Sequence, residues 1–187
     1  KMGFIFVLHR ETGKPLVEVE RREVPRYGPL KDQLSPTQPF PPEAFRVSRQ
    51  YERGQSPMGL CGSMEKESQV GEVYTPITEQ WTIGLPSNMG ATNWGGVAVD
   101  PQRGLIALHS NNIAFRTRLL DKSKASSELV ETISDADRSI EERQAAYKAY
   151  RASFNIGDDI ELGMQAGTSY AVARHPMFDP YLGVLPC

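Results

Sequence analysis

Ready-made chemistry is scarce in this sequence. It contains no H-E-x-x-H, no phosphate-binding P-loop, no G-x-S-x-G and no dinucleotide-binding glycine pattern. Those absences remove the commonest metalloprotease, nucleotide and serine-hydrolase signatures. No apolar run approaches the roughly 20 residues needed to span a bilayer, and no secretory signal is present. Charge of one sign is lacking too. The 21 basic and 23 acidic residues leave a net charge of −2, so nothing favours nucleic acid or an anionic membrane surface as partner. Cysteine is rare, with Cys61 and Cys187 the whole supply and no C-x-x-C pair. A zinc or thiol-redox motif is therefore unsupported. Two cysteines in a chain this long are more often free thiols, and a bridge becomes credible in an oxidising compartment. The three histidines, His9, His109 and His175, are scattered and read as structural or surface residues rather than metal ligands.

What is present describes a globular chain: 187 residues, 39% of them hydrophobic and 24% charged. The opening KMGFIFVLHRETGKPLVEV starts inside a strand, which leaves that strand without a preceding neighbour. Residues 4–8 are all apolar, and after the turn Glu11-Thr12-Gly13-Lys14 the stretch PLVEVE alternates apolar and acidic. The pattern predicts a buried strand, a glycine-containing turn and a half-exposed partner strand. Residues 25–57, with SPTQPFPP at their centre, read as a long surface connection, because proline cannot donate to a ladder. GEVYTPITEQW contains a short strand ending at Pro76. Val97-Ala98-Val99 and Leu105-Ile106-Ala107-Leu108, joined by Asp100-Pro101-Gln102-Arg103-Gly104, make a hairpin with a proline-initiated turn. There Asp100 reads as a turn carboxylate.

Residues 126–154 change character, being rich in Ala, Glu and Arg with no proline or glycine. They predict a solvated helical insertion in which Ser134 or Asp135 caps a helix. From Gly167 the strand pattern returns in TSYAVARHP. Short hairpins at intervals of roughly 40–50 residues fit an all-β propeller better than a sandwich.

The stretch GATNWGG is the densest in site-like features. Gly90, Gly95 and Gly96 let the backbone approach another group closely. Asn93 offers an amide that both donates and accepts, and Trp94 a large flat ring. An amide beside an indole suits a planar, oxygen-rich ligand; a β-bulge with a core tryptophan is the plainer alternative. Asp158 and Asp159, adjacent in a loop, read as a solvated turn rather than a carboxylate pair.

KMGFIFVLHRETGKP, SPTQPF, TNWGGVAVDPQRGL and the terminal GVLPC, in this order, resemble the membrane-bound pyrroloquinoline-quinone (PQQ) dehydrogenases. The branch with quinoprotein glucose, quinate and polyol dehydrogenases matches best. The likeness runs from Lys1 to about Gly104, lapses over the helical insertion and resumes over residues 167–187. The combination of PTQPF with NWGGVAVDP is its most specific part.

The resemblance implies an eight-bladed propeller of four-stranded antiparallel blades, of which residues 1–187 form one partial domain of about three blades. It implies an enzyme that oxidises a sugar, polyol or cyclic alcohol by hydride transfer to the quinone and passes electrons to ubiquinone. Lys1 matches the family's basic residue that hydrogen-bonds the reactive quinone oxygens, where a cation stabilises growing negative charge. Asn93 and Trp94 match the family's Asn-Trp beside the cofactor. The catalytic base, and the carboxylates holding a calcium or magnesium ion, would precede Lys1, so no catalytic or metal-binding residue is assigned within the chain. Location on the periplasmic side of the bacterial inner membrane, with attachment through a region before Lys1, follows from the same likeness. So does a Cys61–Cys187 bridge. Two departures stand out: His9 occupies a position where the family usually has Asp, and the helical stretch is atypical of glucose-oxidising members. A non-catalytic propeller scaffold, or a degenerate quinoprotein binding a protein partner, is the competing reading.

Overall fold

The computed structural model describes residues 2–55, 61–93 and 95–178. The chain divides into two compact units, Lys1–Arg116 with Pro176–Cys187, and Thr117–His175.

In the first unit, residues 4–16 form a tight reversal rather than a regular hairpin. Leu8 bridges Pro15 and Phe4 bridges Arg46, each as an isolated contact. Gly13 takes φ +68°, a left-handed conformation that costs glycine nothing, and its N–H donates to the His9 carbonyl at 2.8 Å. His9 Nδ1 accepts from the amides of Glu11 and Thr12, both at 3.3 Å. The imidazole thus does the work that a short carboxylate does in an Asx turn. The burial expected of residues 4–8 is not found. Phe6 and Leu8 are exposed, because single bridges give that segment no covering sheet among the described residues.

β1 (Glu20–Glu23) pairs antiparallel with β2 (Thr37–Phe40), setting Arg21 opposite Pro39. The proline-rich connection therefore does contribute a strand. A two-stranded ladder has an outer edge on each strand, so a missing N–H is tolerated. Phe40 closes an aromatic cluster. Its ring lies 5.6 Å from Phe4 and 5.4 Å from Tyr74, and Phe6 lies 6.2 Å from Phe4. Arg22 covers Phe40 at 5.0 Å and Arg46 covers Phe4 at 5.9 Å. Tyr74 sits in this cluster with φ +66°.

A short helix, α1 (Gly62–Lys66), leads into β3 (Gln69–Val70), which pairs parallel with β4 (Thr82–Gly84). Parallel neighbours need a crossover connection, and residues 71–81 supply it. The strand expected in GEVYTPITEQW is instead this connection. The core of the unit gathers Tyr51, Cys61, Met64, Ile83, Leu85, Ala114 and Met177, with Val70 against it. The Tyr51 hydroxyl donates to Glu65. Burial pushes its pKa up, and the bond to Glu65 adds to the shift. Arg53 donates to the carbonyls of Glu65 and Ser68, both at 2.6 Å, and locks the same corner. β5 (Val97–Asp100) and β6 (Leu105–Leu108) form the expected antiparallel hairpin.

β7 (Phe115–Asp121) begins in the first unit and runs into the second. Two helices follow, α2 (Ser127–Ser134) and α3 (Ile140–Ala152), then β8 (Glu161–Gly163) and β9 (Tyr170–Pro176), with strand order β7-β9-β8. The helical stretch is present, but the capping residues differ from those expected. Ser126 caps α2, and Ser139 with Glu142 forms a capping box on α3. Asp135 instead accepts the Asp137 amide at 2.9 Å inside the turn between the helices. Lys122 Nζ donates to the carbonyls of Gln165 and Thr168, tying down the β8–β9 turn. Tyr150 is fully buried, with Phe154 edge-on to it at 5.1 Å.

Candidate cofactor site

The candidate site is a loop, residues 87–96, between β4 and β5. Its first half is a compact turn: Gly90 N–H donates to the Ser87 carbonyl at 2.8 Å, and Ser87 Oγ accepts from the Met89 amide at 3.2 Å. Ala91 is fully buried, and its carbonyl accepts from Asn111 N–H at 2.7 Å. Asn93 follows, half-buried, with Nδ2 donating to the Met89 carbonyl at 3.3 Å. Its side-chain carbonyl has no partner among the described residues. Gly96 N–H then returns to the Asn93 carbonyl at 3.3 Å.

Gly95 is the tightest point. A Cβ there would lie 2.5 Å from His109 Cε1 and 2.9 Å from Nδ1, so a side chain at this position would displace the exposed imidazole. A half-buried amide that keeps a second N–H beyond its bond to Met89, beside backbone stripped of side chain, can donate to an oxygen of a flat ligand. Of the residues assigned to the cofactor, Lys1 and Trp94 lie outside the described residues, and Asn93 lies within them. Cys61 is disulfide-bonded and buried in the core, while Cys187 lies outside the described residues.

The chemistry-bearing groups elsewhere have structural partners. Asp100 Oδ1 accepts from the amides of Gln102 and Arg103 at 3.0 and 3.1 Å, as a turn carboxylate does. Asp159, read from sequence as part of a solvated turn, stays exposed but reaches His175 Nε2 at 3.0 Å. No local signal marks that pair, because its members are joined only by the pairing of β8 with β9. Arg116, 9% exposed, is held between the Trp81 ring at 4.7 Å and Glu67 at 3.1 Å. Among the described residues no group of three His, Cys, Asp or Glu is arranged to hold a metal ion, and no helix is long and apolar enough to cross a membrane.

The family described as "PQQ: Glucose/ethanol/alcohol dehydrogenase, beta-propeller domain" matches residues 1–185. The chain belongs to this family. Similar relatives include the quinoprotein glucose dehydrogenase of Escherichia coli (strain K12), 27% identical over all of this chain and 22% of that protein. The glycerol dehydrogenase large subunit of Gluconobacter thailandicus is 31% identical over 99% of this chain and 24% of its own length. A probable quinate dehydrogenase (quinone) of Xanthomonas campestris pv. juglandis is 29% identical over 64% of this chain and 16% of that protein. The chain thus spans less than a quarter of the length of the first two relatives. No solved structure matches it. The resemblance carried by PTQPF and NWGGVAVDP is borne out at the level of family, and the strand-rich content of the described residues agrees with a β-propeller domain.

Proposed function

We propose that the longer protein containing this chain is a PQQ-dependent dehydrogenase that oxidises a sugar, polyol or cyclic alcohol and delivers the electrons to ubiquinone. The observation that carries this reading is the family match over residues 1–185, supported by the Asn93 loop and its glycine cradle. In this reading residues 1–187 are one partial propeller domain contributing about three blades to a ring of eight, with residues 126–154 inserted into it. The protein faces the periplasm and is attached to the inner membrane through another region. Cys61 pairs with Cys187, as suits an oxidising compartment.

Pyrroloquinoline quinone, when bound, supplies the two-electron acceptor, with a calcium or magnesium ion held by carboxylates outside this chain. The residues of the chain bind and orient. The Lys1 ammonium would donate to a quinone oxygen and would stabilise negative charge there. Asn93 would donate its second amide N–H to a quinone or carboxylate oxygen, and Trp94 would line the pocket with a flat ring. The proton-abstracting carboxylate belongs to sequence before Lys1.

The deciding experiment reconstitutes the longer protein with PQQ and assays dye reduction against glucose, glycerol, quinate and related alcohols. Cofactor-dependent turnover of at least one is expected. Saturating cofactor binding without turnover of any would leave a degenerate quinoprotein, and no binding at all would leave a scaffold.

A further inference from the structure

We infer that His109 is a positioning residue for Asn93, acting through the bulk of its ring against Gly95. The inference rests on the reading of the Asn93 loop as part of the cofactor site. Val97 faces Leu108 at the end of the β5–β6 ladder, so the chain just before β5 and the chain just after β6 leave the ladder side by side. Two contacts tie them together beyond that point. Asn111 N–H donates to the Ala91 carbonyl at 2.7 Å, and the His109 ring occupies the space a Cβ on Gly95 would need. Asn93 lies between these ties, with its own amide bonded back to Met89. The ring has no hydrogen-bond partner among the described residues, so what it supplies to the loop is volume. Ring thickness at residue 109 therefore sets how closely residues 91–95 approach the segment after β6, and with it the pitch of Asn93. Small displacements of orienting groups cost binding and rate steeply.

The test is a double-mutant cycle in the full-length protein, read as the dissociation constant for PQQ by equilibrium dialysis. The apo-protein melting temperature is followed in parallel to set aside variants that fail to fold. Gly95→Ala and His109→Ala should each weaken PQQ binding about tenfold, and the double variant should lose clearly less than the product of the two, because deleting the ring relieves the clash. His109→Phe, which keeps a flat ring without its nitrogens, should stay within about threefold of the parent. Losses that multiply independently, or a His109→Phe as weak as His109→Ala, overturn the inference while leaving the site reading intact. Parent protein that takes up no PQQ overturns the site reading, and this inference with it.

Discussion

Two hairpins in this chain invert the usual relation between letters and burial. β5–β6 is written almost wholly in aliphatics, VAVD against LIAL, yet Val97, Val99, Leu105 and Ile106 are 53–61% exposed. β8–β9 is written with Glu, Arg, His and Tyr, yet Leu162, Ala171 and Ala173 are buried. The difference is what lies on the faces. In β8–β9 Leu162 pairs with Ala173, α3 reaches β8 through the Tyr147 hydroxyl on the Leu162 carbonyl at 3.3 Å, and the charged pair Arg174–Glu161 closes the rim at 2.6 Å. β5–β6 sets Val97 opposite Leu108 and Val99 opposite Ile106 on one face, with the Ala98–Ala107 pair on the other. A two-stranded ribbon with both faces open is marginal in water, and an exposed aliphatic patch marks a surface that another element covers. In the proposed ring, further sheet would do so.

The contrast can be broken most forcefully at Leu162. Leu162→Ala should cost about 2–5 kcal/mol by chemical denaturation, since it removes most of a buried aliphatic side chain. A cost under about 0.5 kcal/mol, typical of open surface, would mean that β8 is no better covered than β5. A smaller effect is expected at the cap of the covering helix. Ser139→Ala should remove about 1 kcal/mol and lower helicity in circular dichroism. The backbone amide of Ser139, then its hydroxyl, hold the Glu142 carboxyl below the usual carboxylate range, with Arg138 helping. Because the folded value lies below the unfolded one, near about 4.3, the stabilisation is complete above that pH and fades as pH falls through the folded value. Helicity should decline there, and Glu142→Gln should flatten the decline. The smallest effect is expected at Val99→Lys, within about 0.5 kcal/mol in residues 1–187 alone. In the proposed longer protein the same change should cost several times more, because there the lysine would be a buried charge without a partner. Equal effects in both would deny that anything covers the ribbon.

Sequence made the β5–β6 hairpin legible because its determinants are local: DPQRG sets the turn, and Asp100 closes it from within. The capping box Ser139-x-x-Glu142 is equally local, yet Ser134 and Asp135 carry the same capping chemistry in the sequence and compete with it. The parallel pair β3–β4 left no trace. Two or three residues have no period to read, and their pairing depends on a crossover rather than on neighbours. β2 was obscured by Pro39, whose cost to a ladder vanishes at an edge. At the site, glycines and the family likeness singled out Asn93. His109 could not be found that way, since its link to Gly95 exists only after two distant segments leave the same ladder.

Tyr74 carries one more consequence. Its left-handed backbone is where a glycine would sit without penalty, at a saving on the order of 1 kcal/mol, but its ring packs on Phe40 and Phe4. Glycine there would relax the main chain and dissolve the aromatic quartet that ties the N-terminal segment to the crossover before β4. The position therefore tolerates substitution in reverse, accepting bulky planar residues with an unfavourable torsion over the residue whose torsion is free.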